Sequence, residues 1–301
     1  MWTARRARLL LARAFLALAA GGVAPATMAL DLDRLWDFRQ PAVSEQRFRE
    51  ALATAQGDDA LILHTQIARS FGLRRDFERA REVLRAVQPA LATAGPEARV
   101  RHGLEWGRTY VSATHPRGSV TEADRAEARR AWAEAEQRAR AAALDGLTVD
   151  LIHMAAFLDD SPEAQRKVGE AALAVVLKSS QPAAQRWEGS IRNNLGLALN
   201  GLGRHEEALV HLQQALALRE RAGDVERTHV ARWMVAHTLR RLGRLDEAES
   251  LQRRLAAERE ALGRPDPYVA DELEAIARAR GNTAEAEQWR ARREAWATPG
   301  R

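Results

Sequence analysis

Apolar residues along this chain recur three and four positions apart, the spacing of one helix face, and in the C-terminal third the whole pattern returns. Three stretches align: LGLALNGLGRHEEALVHLQQAL from Leu195, VAHTLRRLGRLDEAESLQRRLA from Val235 and LEAIARARGNTAEAEQWRARRE from Leu273. Each carries a glycine (Gly203, Gly243, Gly281) followed five residues later by an alanine (Ala208, Ala248, Ala286), in registers 40 and then 38 residues apart. The spacing predicts a helical hairpin. Glycine takes the left-handed conformation that ends the first helix, A. Glu206, Glu207, Asp246, Glu247 and Glu285 fall in the first turn of the second helix, B, where the helix dipole favours acids. Alanine occupies the place where the two helices approach most closely.

Helix B has its own mark: a small residue, an apolar one four on, and a small one three further, all on one face. Ala208-Leu212-Ala215 shows it, and so do Ala80-Leu84-Val87, Ala128-Trp132-Ala135 and Ala164-Val168-Ala171 upstream. Ser44-Phe48-Ala51, after Pro41, is a weaker copy without an evident partner helix. In the last repeat the later positions become Arg290 and Arg293, as expected of a closing helix that faces water. Trp289 and Trp296, one heptad apart, are placed to fold its inner edge back onto the stack.

These residues resemble the tetratricopeptide repeat (TPR), with Leu195-Gly196 as the helix-A pair and Ala208 and Ala215 as the small helix-B positions. The spacing near 40, with RNNLGLALNGLGRHEEAL and AEREALGRPDPYVADELEAIA, is similar to the longer kinesin-light-chain-like variant. The likeness is most specific over 189–298, intermediate over 59–91 and weakest over 96–180. There Gly107 and Ala128 stand 21 residues apart instead of the 12 between Gly196 and Ala208, the excess being the loop ATHPRGSV before a capping box from Thr121 to Asp124. The resemblance implies an all-α, right-handed helical-hairpin solenoid. It would comprise about five hairpins over 59–298, preceded by a segment 30–58 with a capping half-repeat helix.

Composition narrows the chemistry. The 301 residues contain no cysteine, which excludes disulfides, thiolate metal sites and cysteine nucleophiles. The net charge of +5 invites a nucleic-acid reading, but residues 1–29 hold four arginines and no acid. Without them 42 basic residues face 41 acidic ones, interleaved as in 122–140, so the concentrated basic stripe of a nucleic-acid binder is missing. Segment 1–29 reads as a secretory signal: basic MWTARRAR, apolar LLLARAFLALAA interrupted by Arg13, and small-residue GGVAPATMA. Cleavage is expected near Ala26 or Ala29, which makes the protein periplasmic or secreted; the alternative is an uncleaved inner-membrane anchor.

Eight histidines require metal and catalytic readings to be tried. His205 and His211 lie about 240° apart around a helix, and His229 and His237 about 12 Å apart along one, so neither pair matches a shared-metal motif. No nucleophile elbow, P-loop or dinucleotide motif occurs, and Asp159-Asp160 before Ser161-Pro162 reads as turn chemistry. The expectation is a non-enzyme without cofactor or metal. Among eight tryptophans, Trp106 and Trp132 fall on core positions, Trp36 near the cap of the first helix, and Trp187 on no assignable one. By the resemblance, A helices line a concave groove that binds proteins or peptides. Its rows here read Asn193-Leu197-Asn200, Trp233-His237-Arg240 and Asp271-Ala275-Arg278. The groove residues expected to matter are Asn193, Asn200, Trp233, His237, Arg240 and Arg278. Amides serve an extended backbone, the indole gives apolar area, and the guanidinium forks suit an acidic or free C-terminal segment. The function expected is a scaffold or adaptor of a bacterial-type envelope. The alternatives are a small-molecule or peptide receptor and a hydrolase with an unrecognised His/Asp site.

Overall fold

Gly203, Gly243 and Gly281 all take φ between 73° and 75°, the left-handed turn that their spacing predicts. The amide of Arg204 then reaches back to the Leu199 carbonyl, and that of Arg244 to Leu239, so each A helix ends on a six-residue closing bond. Two upstream turns manage the same conformation without glycine, at Arg75 (φ 65°) and Ala143 (φ 51°).

The computed structural model describes residues 30–297, and the expected signal segment 1–29 lies outside them. The chain divides into two units at Arg34. Of the first, only residues 30–34 are described; there the Asp31 carboxylate accepts from the Arg34 amide as α1 (Leu32–Leu35) begins. The second unit, from Leu35, is built from helices, with no strand among the described residues. No helix among them is long and apolar enough to cross a membrane.

A lone helix, α2 (Pro41–Leu52), opens the stack. Six hairpins follow, against the five or so expected: α3 (Gly57–Leu73) with α4 (Phe77–Val87), α5 (Pro96–Arg108) with α6 (Glu122–Ala141), and α7 (Asp145–Ala155) with α8 (Pro162–Lys178). After the short α9 (Pro182–Gln185) come α10 (Glu188–Gly201) with α11 (His205–Ala222), α12 (Val225–Arg241) with α13 (Leu245–Ala261), and α14 (Pro267–Ala279) with α15 (Thr283–Ala297). Every B helix packs on its own A helix, and every one but the last, α15, packs on the A helix that follows, as a hairpin solenoid requires.

The contacts explain the sequence pattern. Ala80, Ala128, Ala208, Ala248 and Ala286 are fully buried. A Cβ on Gly196 would lie 2.5 Å from Leu212 Cγ, and one on Gly107 only 2.2 Å from Trp132 Nε1, so these glycines make room for the large residue of the facing helix. The capping box at Thr121 forms as expected, with Thr121 and Asp124 bonded in both directions. Phe48 and Ser44 are buried, and α2 packs on α3, the partner helix that was not evident in the sequence. At the other end α15 buries only Ala286 and Trp289; the Trp289 ring meets Trp296 edge-on at 6.4 Å.

Two register expectations are corrected. In α8 the buried positions are Gly169, Ala172, Leu173 and Val176, one step round from Ala164-Val168-Ala171, whose Ala171 is exposed. Gly169 moves the face, because its bare backbone meets Leu195 of α10. Trp106 is not a core residue. Leu104 and Gly107 face the core, while Trp106 is half-buried beside His102 and Tyr110 and donates its Nε1 proton to Glu127 at 2.7 Å.

Candidate functional site

The repeat registers place Ser190, Val230 and Tyr268 in one row of the A-helix face, Asn193, Trp233 and Asp271 in the next, then Leu197, His237 and Ala275, then Asn200, Arg240 and Arg278. Leu197, Val230 and Tyr268 are exposed by 58%, 56% and 70%, large apolar side chains that the fold leaves in water. Trp233 is half-buried between them. Its Nε1 donates to the Tyr268 carbonyl at 3.0 Å, and its ring stacks on His237 at 5.2 Å. The indole is thereby held in one orientation.

Of the polar members of the strip, Asn200, His237, Arg240 and Arg278 are committed within the chain. Asn193 is half-buried. Asn200 is buried, donating to Thr238 Oγ1 at 2.7 Å and lying 2.9 Å from His205 Nδ1 through its other amide atom. Arg240 forks onto Glu272 through Nε (2.7 Å) and Nη2 (3.0 Å), while His237 Nδ1 meets the same carboxylate at 2.6 Å. Burial works to raise the pKa of Glu272, but the hydrogen bonds from His237 and Arg240 outweigh it and hold the group down at about 2. Arg278 is exposed and forks onto Glu274. Arg293 reaches Asp271 and Glu274. Glu272 and Glu274 are the residues that the sequence reading missed, since only Asp271 was placed on this strip. Helical periodicity contained the clue: Glu272 lies one residue round from Asp271, towards α12.

A second cluster, unforeseen from the sequence, lies on the A helices of the first three hairpins. Arg69 of α3, Glu105 and Arg108 of α5 and Asp150 of α7 form one ionic tetrad. Arg108 Nη1 meets Glu105 and Nη2 meets Asp150, both at 2.5 Å, and its Nε contacts Met154 Sδ at 3.3 Å. Arg69 Nη1 meets Glu105 Oε1 at 3.3 Å and lies 4.0 Å from Asp150 Oδ2. The Arg69 guanidinium sits 5.8 Å from the Trp36 ring centre and 5.6 Å from that of Phe38, two rings stacked at 4.6 Å. Burial works to raise the Asp150 pKa, but Arg108 and Arg69 hold it below its ordinary value. Burial and the repulsion of Arg108 pull Arg69 down. Beside the tetrad opens a cavity of about 210 Å³, walled by Leu73, Ala113, Met154, Phe157 and Trp187. His153 lines it too, its pKa lowered by burial, with its ring 5.5 Å from Trp187. The helix-A positions of these charges were hidden by the long loop that obscures the register over 96–180.

Among the described residues no group of three or more His, Asp or Glu is arranged to hold a metal ion. His205 and His211 hydrogen-bond to Asn200 and Arg192 respectively. Asp159 accepts from the Ser161 amide, the turn chemistry expected of it.

Residues 187–261 match the tetratricopeptide repeat family. In solved structures the fold is shared with a signal-transduction ATPase with numerous domains, carrying a tetratricopeptide repeat sensor, from Pyrococcus horikoshii. The TM-score is 0.66 at 11% identity, over 85% of this chain and 40% of that one, so this chain spans well under half of that protein. Aspartyl phosphate phosphatase F from Bacillus subtilis aligns with a TM-score of 0.53 at 14% identity, over 89% of this chain and 78% of that one. At these identities the likeness is one of fold. A comparison with curated proteins finds no match.

Proposed function

Because the chain carries tetratricopeptide repeats, a protein-binding scaffold architecture, we propose that it is a non-enzymatic adaptor of a bacterial-type cell envelope. It would be exported by segment 1–29 and hold a protein or peptide partner along the A-helix face of its last three hairpins. The observation that carries this reading is the exposed apolar strip of Leu197, Val230 and Tyr268 around the oriented Trp233 indole. Monomeric surfaces seldom leave such side chains clustered in water, and a fixed aromatic ring is the usual anchor of an interface. Arg278 at the edge of the strip, half-exposed beyond its pairing with Glu274, is the group that would meet an acidic or C-terminal carboxylate of the partner.

The test is affinity capture from a native envelope fraction, followed by mass spectrometry. Wild type should retain a partner, and Val230→Glu with Tyr268→Glu should lose it, both sites being exposed enough to leave the fold intact. Arg130→Glu, on a B helix, should change nothing. Equal retention by the double variant would refute the strip as the binding face. N-terminal sequencing of the native protein addresses export separately. A chain still beginning at Met1 and recovered from the cytosol would refute it.

A further inference from the structure

The cavity beside the ionic tetrad is unbalanced in its hydrogen bonding, and the imbalance has a direction. The hydroxyls on its wall are spent within the chain. Thr109 Oγ1 donates to the Trp106 carbonyl at 2.7 Å and Thr114 Oγ1 to that of Gly72 at 3.0 Å, while Ser112 Oγ lies 3.0 Å from Thr114 Oγ1 and 2.9 Å from His115 Nδ1. Asp150 on the same wall differs. Its Oδ1 accepts from Arg108, but its Oδ2 accepts no hydrogen bond from any described residue, and 11% of the side chain stays accessible. That oxygen is open, unlike Arg69 Nε, which is sealed in the packing. Glu105 Oε2 is left open in the same way. The unmet demand is for a donor, and charge decides its kind. Arg69 Nη1 lies 4.0 Å from Asp150 Oδ2, and burial and the repulsion of Arg108 already pull Arg69 down, so a third cation is disfavoured. An anion meets two open carboxylate oxygens and no open Nε edge. The donor must be uncharged.

Two donors are left over on the same walls, Arg69 Nη2 and the one N–H of the His153 ring, which burial keeps neutral. A hydroxyl donates and accepts through a single atom, so it answers the open oxygens and these donors together. The remaining walls are apolar. The rings of Phe157 and Trp187 stand 5.9 and 5.5 Å from that of His153, at 78° and 50° to it, with Leu73 and Met154 alongside. Rings set at steep angles offer faces and edges to a further ring. The volume of about 210 Å³ suits one ring: an apolar cavity of roughly 150 Å³ admits benzene, whereas drug-sized ligands need about 300 Å³ or more. We propose that this cavity binds a small uncharged phenol, its hydroxyl donating to Asp150 Oδ2 and its ring lying among Met154, Phe157 and Trp187. The ion pair with Arg108 fixes Asp150 beforehand, so little order has to be created on binding. A hydrogen bond to a carboxylate largely shielded from water also keeps more of its strength. The site is separate from the C-terminal strip and needs no protein partner.

Titration calorimetry on the full-length protein with phenol and p-cresol tests this. Saturable binding is expected, weakened about tenfold or more for anisole and toluene, which keep the ring but have no donor for the carboxylate. Benzylamine and benzoate, both charged at neutral pH, should bind more weakly than phenol. Gly72 supplies the structural control. It lines the cavity in α3, and a Cβ there meets nothing within 4 Å, so Gly72→Leu fills the space without a clash and adds helix propensity. That variant should melt no lower than wild type and bind no phenol. Absence of saturable binding of either phenol at millimolar concentration, or equal binding of anisole, would overturn the proposal. So would tighter binding of benzylamine or benzoate, or undiminished binding by Gly72→Leu. N-acetyl-L-tyrosinamide binding more tightly than p-cresol would overturn it as well, by assigning the cavity to a tyrosine side chain of another protein.

Discussion

Gln252 in α13 is fully buried, and neither its Oε1 nor its Nε2 has a hydrogen-bond partner. One repeat earlier the same position is Leu212, which fits because Gly196 faces it with no side chain. In the later hairpin Ala236 takes the place of Gly196, so a branched Cγ at 252 would run into its methyl group, whereas an unbranched glutamine passes it. An amide buried without partners costs roughly 1–3 kcal/mol. Gln252→Met keeps the unbranched shape and removes the amide, and should stabilise the protein by about 1–2 kcal/mol. Gln252→Leu alone should gain little, because overpacking against Ala236 costs roughly 1–3 kcal/mol. Combined with Ala236→Gly it should recover, less the ~1 kcal/mol of a glycine within a helix. Urea unfolding followed by circular dichroism measures these three variants and Ala236→Gly alone, and the cycle at 236 and 252 should show a favourable coupling of at least about 1 kcal/mol. If methionine destabilises, or leucine behaves identically opposite alanine and glycine, the assignment of this pair is wrong.

The left-handed turns at Arg75 and Ala143 strain a residue that has a Cβ, so Arg75→Gly and Ala143→Gly should each raise stability by about 0.5–1 kcal/mol, read as an increase in the urea midpoint. Gly203→Val, the reverse change, should lower it by at least about 1 kcal/mol. Glu272, held at about 2 against an unfolded value of 4.5, contributes stability that is fully present above pH 4.5 and is lost as the pH falls towards 2. Glu272→Gln should therefore be less stable than wild type by about 3 kcal/mol at pH 7, and the gap should close between pH 4.5 and 2; a constant gap would refute the linkage.

Short-range chemistry is what made the fold legible. The glycines at 203, 243 and 281 and the alanines five residues later report a turn and a contact that only those residues satisfy, so hairpin, register and helix order could be read over 189–298. Upstream the same architecture is met by other means. Arg75 and Ala143 occupy turns without glycine, Trp132 fills the gap at Gly107, and the loop 113–120 lengthens one hairpin. Where a turn is bought with strain rather than with glycine, the pattern fades although the backbone does not change. The sixth hairpin was hidden in that way, whereas the shifted face of α8 was hidden by Gly169, which lets Leu195 approach the backbone.

The site was legible only as a face. Periodicity puts Trp233, His237, Arg240 and Arg278 on the A-helix side, but it does not say that His237 and Arg240 are already paired, because their pairing runs to a helix some 32–35 residues on in sequence, whereas Arg278 pairs within its own helix. Arginine abundance is therefore a poor guide to binding in this chain, and the state of each fork is a better one. In the C-terminal strip Arg240 and Arg278 are closed on Glu272 and Glu274, so a partner there gains most from apolar contact with Leu197, Val230 and Tyr268, and its charge adds little at an exposed, screened edge. Raising the salt concentration should therefore leave partner capture by the strip nearly unchanged, and a marked loss of capture at high salt would show that Arg278 and not the apolar contact holds the partner.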